Sequence, residues 1–163
     1  MKLHYTFFLL SLFLITGFKP TVSQEIPELN QKILEFVKSK INQKVGRGEC
    51  WDLAAEALNS YGAIWDGKYK YGRKVNPKKE PVYPGDIIQF EKIELTYVKD
   101  GCKYKESMPH HTAIIYAVKG DGVYELAHQN TSYSGKTVGL TVIDLKTKSK
   151  GKYIIYRPQA RTK

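Results

Sequence analysis

The order of its hydrophobic patterns constrains the fold of this chain more than any other sequence feature. Two segments with apolar residues at helical spacing come first, and every later apolar run is short and of β type. The first helix is predicted over about residues 26–42 and the second over about residues 50–61, where Gly62 ends it. A chain with this order folds with its helices on one side of a sheet.

Six β-type runs follow the second helix. They are residues 87–90, 95–98, 112–118, 123–127, 138–143 and 153–156. Gly120-Asp121-Gly122 predicts a tight hairpin turn between two of them. Residues 64–84 are rich in Lys, Tyr, Gly and Pro and are predicted to form a long loop. We therefore predict an α+β fold in which N-terminal helices pack on an antiparallel sheet of about five to six strands.

Residues 1–23 have the pattern of a secretory signal peptide. A basic start is followed by an apolar run over residues 7–15, which is too short to span a bilayer. Small residues before Gln24 predict cleavage at that point. We expect a mature domain over residues 24–163 that is secreted or periplasmic and has no stable membrane insertion.

The chain is strongly basic, with a formal net charge of +10 at pH 7. Outside the cytoplasm such a protein is attracted to anionic polymers, so we expect a cell-wall peptide or glycan as its partner. No helix-turn-helix, zinc-finger or RNA-binding signature accompanies the charge, and we expect no nucleic-acid partner. A domain of this length has room for one core, and a monomer is expected.

Cys50 is the candidate nucleophile. It follows a glycine-rich turn and opens the second predicted helix, where unpaired N–H groups and the helix dipole favour a thiolate. Its own N–H is then available to an oxyanion. The alternatives are a buried structural cysteine or a disulfide with Cys102, the other cysteine of the chain.

His111 and Asn130 are the candidate partners of Cys50. His111 directly precedes an apolar strand and can serve as general base, whereas His110 is assigned to the loop before it. The predicted hairpin brings the end of the next strand beside His111, so Asn130 can orient the imidazole. Asn130 also begins an N-glycosylation sequon, which leaves an ordinary turn residue as the alternative. No spacing of carboxylates or cysteines supports a metal site, and we expect no cofactor.

Several motifs are recognisable together from about residue 44 to 158. They are Gly48-Glu49-Cys50-Trp51-Asp52-Leu53-Ala54, Tyr69-Lys70-Tyr71-Gly72, Pro84-Gly85-Asp86-Ile87-Ile88-Gln89-Phe90, His111-Thr112-Ala113-Ile114-Ile115, Gln129-Asn130 and Ile155-Tyr156-Arg157-Pro158. This set resembles the cysteine-proteinase-fold domain of fungal actin-patch, myosin-interacting proteins. More distantly, it is similar to bacterial CHAP and NlpC/P60 peptidoglycan hydrolases.

The resemblance implies a papain-like NlpC/P60 (CHAP-like) fold. By motif, the family's Cys, strand-edge His and downstream polar residue correspond to Cys50, His111 and Asn130. CHAP-like enzymes often carry Glu two residues before that Asn, where this chain has His128. This departure removes a negative charge that would support an imidazolium.

Four residues are assigned to substrate contact: Trp51, Tyr69, Tyr71 and His128. Aromatic faces stack on sugars and the neighbouring lysines meet anionic groups, although a solvated loop with its rings packed on the core is the alternative. The leading hypothesis is a secreted cysteine hydrolase that cleaves a peptide or amide bond, with peptidoglycan as the substrate that the resemblance implies. The alternative is a non-catalytic module on the same fold that binds a glycan, peptide or protein partner.

Overall fold

The computed structural model describes residues 25–99 and 101–161. The predicted signal peptide lies outside these residues. Two helices come first, α1 (Glu28–Lys40) and α2 (Asp52–Ser60). The strands are β1 (Arg73–Val75), β2 (Ile87–Lys99), β3 (Cys102–Gly120), β4 (Val123–His128), β5 (Gly139–Asp144) and β6 (Lys148–Arg157), with a short 3₁₀ turn at Leu145–Thr147 before the last. None of the described helices is long and apolar enough to cross a membrane.

The strands form one antiparallel sheet in the order β1-β6-β2-β3-β4-β5. This confirms the predicted α+β architecture and the predicted hairpin between β3 and β4. Three details of the predicted sheet are wrong. The loop over residues 64–84 contains the short strand β1, and the runs over residues 87–90 and 95–98 belong to one strand, β2. β3 begins ten residues before the predicted run, so His110 belongs to a strand.

Both faces of the sheet are covered, because neighbouring residues in the central strands are buried on opposite sides. Ile87 and Ile114 pack with the helices, in the same cluster as Val37 and Leu58. The residues that follow them, Ile88 and Ile115, pack in a second cluster with Phe90 and Leu126. Since strand side chains alternate between faces, adjacent apolar residues in a strand indicate a sheet buried on both sides.

The second cluster is enclosed because the sheet curls. Leu95 of β2 shares this cluster with Leu145, which directly follows β5, although β3 and β4 separate β2 from β5 in the sheet. The bend in β2 lies at Lys92, which has a φ of +50°, and the β2–β6 register shifts between Glu91 and Glu94. Such irregularities bend a strand and increase its twist. The long β2–β3 hairpin therefore folds back towards β5.

A buried cluster of charges joins the first helix to the last strand. Asp86 is fully buried, and Arg157 donates to both of its carboxylate oxygens at 3.0 and 2.8 Å. Asn30 of α1 donates to the same carboxylate at 2.8 Å. Each carboxylate oxygen thus has a partner, as a buried charge requires. We call Asn30, Asp86 and Arg157 the anchor cluster.

Candidate functional site

The loop before α2 wraps around one carboxylate and thereby fixes Cys50. Asp52 Oδ2 accepts the N–H of Arg47 at 2.8 Å and that of Glu49 at 3.1 Å. Gly46 has a φ of +56°, and a Cβ there would lie 3.1 Å from the Asp52 side chain. Any other residue at position 46 would be strained and crowded. The close turn leaves Cys50 partly buried, directly before the helix, which begins at Asp52 rather than at Cys50.

The thiol of Cys50 is in its neutral form at pH 7. Burial raises its pKa, and this effect outweighs that of the backbone N–H groups of Thr112, Trp51 and Cys50 itself, which act in the opposite direction. The expectation that the helix start favours a resting thiolate is therefore not met. Because the Thr112 N–H is among the groups that act on the sulfur, Cys50 lies near β3 at the residue after His111.

His111 and His128 form a buried pair. His111 Nε2 and His128 Nδ1 are 2.9 Å apart, and His128 Nε2 lies 2.7 Å from Thr141 Oγ1. Burial, with the neighbouring His110, lowers the pKa of His111 to about 4. Burial, with the charge of His111, lowers that of His128 to about 3. Both imidazoles are thus neutral at pH 7. We call His111, His128 and Thr141 the histidine relay.

Within the relay, one ring nitrogen, His111 Nδ1, takes part in neither hydrogen bond. A neutral imidazole donates from one nitrogen and accepts at the other. If His111 donates from Nε2 to His128, then His128 donates to the Thr141 hydroxyl and the lone pair of His111 Nδ1 remains available. Because a hydroxyl both donates and accepts, the opposite direction of the two hydrogen bonds is equally satisfied. The relay therefore presents either a base or an acid at His111 Nδ1.

Asn130 does not orient His111 as predicted. Its Nδ2 donates to Glu49 Oε2 at 2.9 Å, and His128 occupies the place beside the imidazole. The reason is that β4 ends at His128, and Asn130, with a φ of +60°, has already turned away from the strand. The sequence signal was the alternation along β4, since Tyr124, Leu126 and His128 share the face on which His111 lies.

Gln129 joins the two halves of the site, a role that the sequence does not predict, although Gln129-Asn130 is one of the recognisable motifs. Its Oε1 accepts the Val45 N–H at 3.1 Å, and its Nε2 donates to the carbonyl oxygens of Val45 and Glu49 at 2.9 and 2.8 Å. A fully buried Gln with its amide satisfied by backbone holds that backbone in one position. Gln129 thus ties the Cys50 loop to the residue after His128.

The four predicted substrate contacts have different environments. Tyr69 is exposed, at 43%, and packs edge-on against the His110 ring. Trp51 is partly buried under the Arg47 guanidinium, 5.4 Å from its ring centroid. Tyr71 is 0% exposed, and its hydroxyl lies 2.9 Å from Thr112 Oγ1, so it belongs to the core and not to a substrate surface. His128 is also buried, and both of its nitrogens are used within the relay.

A pocket of about 310 Å³ opens over the relay. It is lined by Cys50, His111 and His128, by residues 106–110 of β3 and by residues 130–132 after β4. Cys102 is exposed at the far end of the β2–β3 hairpin, and both cysteines are free, so the alternative of a disulfide is wrong. Within residues 25–99 and 101–161, no group of three or more His, Cys, Asp or Glu side chains is arranged to hold a metal ion.

Comparison with known families decides the classification. The model of the AIM3/BBC1 cysteine proteinase-fold domain matches residues 23–162, which is nearly the whole chain. The chain belongs to this family. The resemblance to the cysteine-proteinase-fold domain of the fungal proteins is thereby confirmed.

A relative of this AIM3/BBC1 domain is altered inheritance of mitochondria protein 3 from Debaryomyces hansenii, 29% identical over 88% of the chain. The chain spans 18% of that protein's length. Among solved structures, that of Ly7917 superposes with a TM-score of 0.51 and 14% sequence identity, over 78% of this chain and 62% of that one. At this identity the likeness indicates a shared fold.

Proposed function

We propose that this AIM3/BBC1 domain is a cysteine hydrolase that cleaves a peptide or amide bond. The observation that supports it is the histidine relay, which ends in the pocket that Cys50 also lines. A buried, neutral imidazole pair costs more to fold than apolar residues of the same size. Its retention beside a partly exposed thiol favours a chemical role.

The reaction begins with the neutral thiol. His111 takes the Sγ proton at Nδ1 while the sulfur attacks the carbonyl carbon, and the imidazolium that forms donates from Nε2 to His128. The N–H groups of Cys50 and Trp51, which lie beside the sulfur, donate to the developing oxyanion. The C–N bond then breaks as His111 returns the proton to the leaving amine. Water, deprotonated by His111, attacks the thioester; the C–S bond breaks, the acid is released, and His111 returns the proton to Sγ.

The burial of the pair sets a limit on the rate. A shift of the His111 pKa from 6.5 to about 4 corresponds to roughly 3 kcal/mol against the imidazolium. His128 relieves this cost by accepting a hydrogen bond but brings no negative charge, unlike a carboxylate in the same place. We therefore expect proton transfer to accompany attack, and slower turnover than at a carboxylate-supported histidine.

Secretion and a cell-wall substrate stay predictions at this point. The basic charge of the chain supports an anionic surrounding, and the peptide or amide bond is the part of the substrate that the pocket supports. The test is release of amine from a panel that includes peptidoglycan, denatured protein and short amides. Cys50→Ala abolishes release from every substrate that is cleaved, whereas Cys102→Ala retains it. Equal release by Cys50→Ala rejects the proposal.

A second candidate is a non-catalytic module that binds a peptide or protein partner on the same fold. Two observations favour it: the raised pKa of the Cys50 thiol, and the match of this domain to a small part of a much longer relative. Alkylation of the purified chain with iodoacetamide separates the candidates. A Cys50 that reacts no faster than Cys102, together with no amine release, supports the binding module.

A further inference from the structure

One edge of β3 is free beside the Cys50 pocket. On one side, β3 pairs with β2 along its length from Cys102 to Ile114. On the other side, it pairs with β4 only over residues 114–120. Within the described residues, no strand covers this second edge before Ile114. Cys50 and residues 106–110 of this edge line the same pocket, so the free edge leads to the candidate nucleophile.

The groove along this edge continues into a second depression. Residues 106–110 of β3 form one wall of the Cys50 pocket. Glu106 also lines an adjacent depression of about 360 Å³, whose other lining residues include Leu95, Tyr97, Val142 and Asp144. Val142 is 59% exposed and Tyr97 is 38% exposed. An open sheet edge therefore runs from a thiol to a depression with apolar walls.

The charges of the second depression are unusual for this chain. On β2, Glu94 is neutralised by Lys105 and Lys150. By contrast, Glu106 and Asp144 form no salt bridge with any described residue, although the chain carries ten more basic than acidic residues. Asp144 Oδ1 accepts the Lys146 N–H at 2.9 Å, which does not neutralise its charge. The depression is thus a local acidic site on a basic protein and complements a cation.

We propose that an extended peptide pairs with the free edge of β3 and places a Lys or Arg side chain in the second depression. The long apolar stem of such a side chain packs on Leu95 and Val142, while its charged end meets Glu106 and Asp144. The position of the cleaved bond in this peptide rests on the proposed function. Five residues of extended chain separate His111 from Glu106 and span about 17 Å. The basic residue therefore lies about five residues from the bond at Cys50.

An extended peptide suits this edge better than a second copy of the chain. The β2–β3 pairing is interrupted at Lys92, opposite Pro109, and the edge bends there. Such an irregularity blocks the long regular pairing by which identical edges associate. Because Ile115 donates its N–H to Asp86 beside β2, residues 113, 111 and 109 also face β2, and the alternate residues 112, 110, 108 and 106 present their backbone groups to the free edge. A short peptide needs only a few of these hydrogen bonds, and its selectivity comes from the acidic depression.

The first experiment measures alkylation of Cys50 by tethered peptides. Decapeptides of alternating Ser and Gly carry a chloroacetyl group at either end and a single Arg that is moved one position at a time. We expect Arg about five residues from the chloroacetyl group to raise the second-order rate about 10-fold over the all-Ser/Gly peptide, the size of one partly desolvated charge interaction. Glu at that position should not raise it. Equal rates for all positions overturn the proposal.

The contribution of the carboxylates is tested in the same assay. Glu106→Gln and Asp144→Asn should remove the preference for Arg, and the matched control Asp121→Asn, at an exposed hairpin turn, should retain it. N-methylation of the best peptide, one residue at a time, should slow alkylation with a two-residue period, because alternate N–H groups face the sheet. An unchanged preference in both variants, or a flat N-methyl profile, overturns the proposal.

Failure of the docking and failure of the proposed function are distinguishable. Free chloroacetamide reports the thiol alone. If it alkylates Cys50 while no peptide is faster, the docking is overturned and the hydrolase proposal is untouched. If Cys50 does not react with chloroacetamide, the same peptides, each with a fluorophore, are titrated into Cys50→Ala, and binding is measured by fluorescence anisotropy. Tighter binding of the peptide with Arg at the same position supports the docking site, and equal binding of all peptides overturns it.

Discussion

Two buried polar clusters of this fold solve the same physical problem in opposite ways. The anchor cluster retains its charges and pairs them, with Arg157 donating twice to Asp86. The histidine relay avoids charge, because burial lowers the pKa of His111 to about 4 and that of His128 to about 3. In the anchor cluster, the hydrogen bonds join the three side chains to one another and to the Pro81 and Pro84 carbonyl oxygens. In the relay, they end at a pocket, and this difference separates a structural cluster from a candidate site.

The largest effect should come from breaking the anchor cluster. Arg157→Met leaves the fully buried Asp86 without its cation, so we expect a loss of about 3–5 kcal/mol in the free energy of unfolding. Urea denaturation measures it. The matched control is Arg73→Met, which removes an exposed partner of Glu80 and should cost less than about 1 kcal/mol. Similar losses in the two variants would contradict the assignment of the anchor cluster.

The second-largest effect on stability should come from acid, which protonates the histidine relay. Both histidines have folded pKa values below the unfolded value of 6.5, so the unfolded chain binds more protons between these values. Their contribution to stability is therefore complete above about pH 6.5 and is lost progressively as the pH falls towards 4 and 3. We expect a loss on the order of a few kcal/mol, measured by urea unfolding at stepped pH.

The double variant His111→Gln/His128→Gln provides the control for this acid effect. It retains neutral, hydrogen-bonding side chains but has no imidazole to titrate in this range. The slope of stability against pH between 4 and 6.5 should become shallower. A slope equal to that of the parent protein would show that other groups are responsible.

Replacement of His128 alone separates the chemistry from stability. His128→Leu removes the acceptor of the His111 Nε2–H, and we expect the rate of Cys50-dependent hydrolysis to fall about 100-fold. His128→Gln retains an acceptor and should restore part of the rate. Unfolding of both variants is measured in parallel, and a rate that follows only their stability would indicate a structural role for His128.

Thr141→Val should produce the smallest effect. It removes the hydroxyl beside His128 Nε2 and keeps the size of the side chain, so we expect a rate loss of less than about 10-fold. The more informative readout is the dependence of the rate on pH. If the Thr141 hydroxyl does not fix the tautomer of His128, the pH–rate profile of Thr141→Val will superimpose on that of the parent protein.

The sequence predicts where the site lies better than it predicts which residues form it. The glycine-rich turn before Cys50, the strand at His111 and the hairpin at residues 120–122 are local signals, and they place Cys50 and His111 at the same pocket. The choice between His128 and Asn130 depends on the residue at which β4 ends. That boundary follows from pairing with β5, as in His128↔Gly139, which is a tertiary effect.

The bend of the sheet was also beyond sequence reasoning. Residues 87–90 and 95–98 were predicted as separate strands because the polar stretch between them interrupts the alternation. In the structure, β2 continues through Lys92, where Gly151 of β6 leaves room for the Lys92 carbonyl. A contact between residues so distant in the chain leaves no local pattern in either segment. The free edge of β3, by contrast, follows from the end of β4 at His128, since β4 pairs with β3 only from Ile114 onward.

The clamp made by Gln129 couples the motions of the two halves of the site. Since Gln129 follows His128 in the chain and holds the backbone on both sides of the glycine turn, β4 cannot shift without carrying the thiol-bearing loop with it. Thermal motion of the sheet should then displace the Cys50 sulfur and the His111 ring together. The distance between these two groups should fluctuate less than the position of either one.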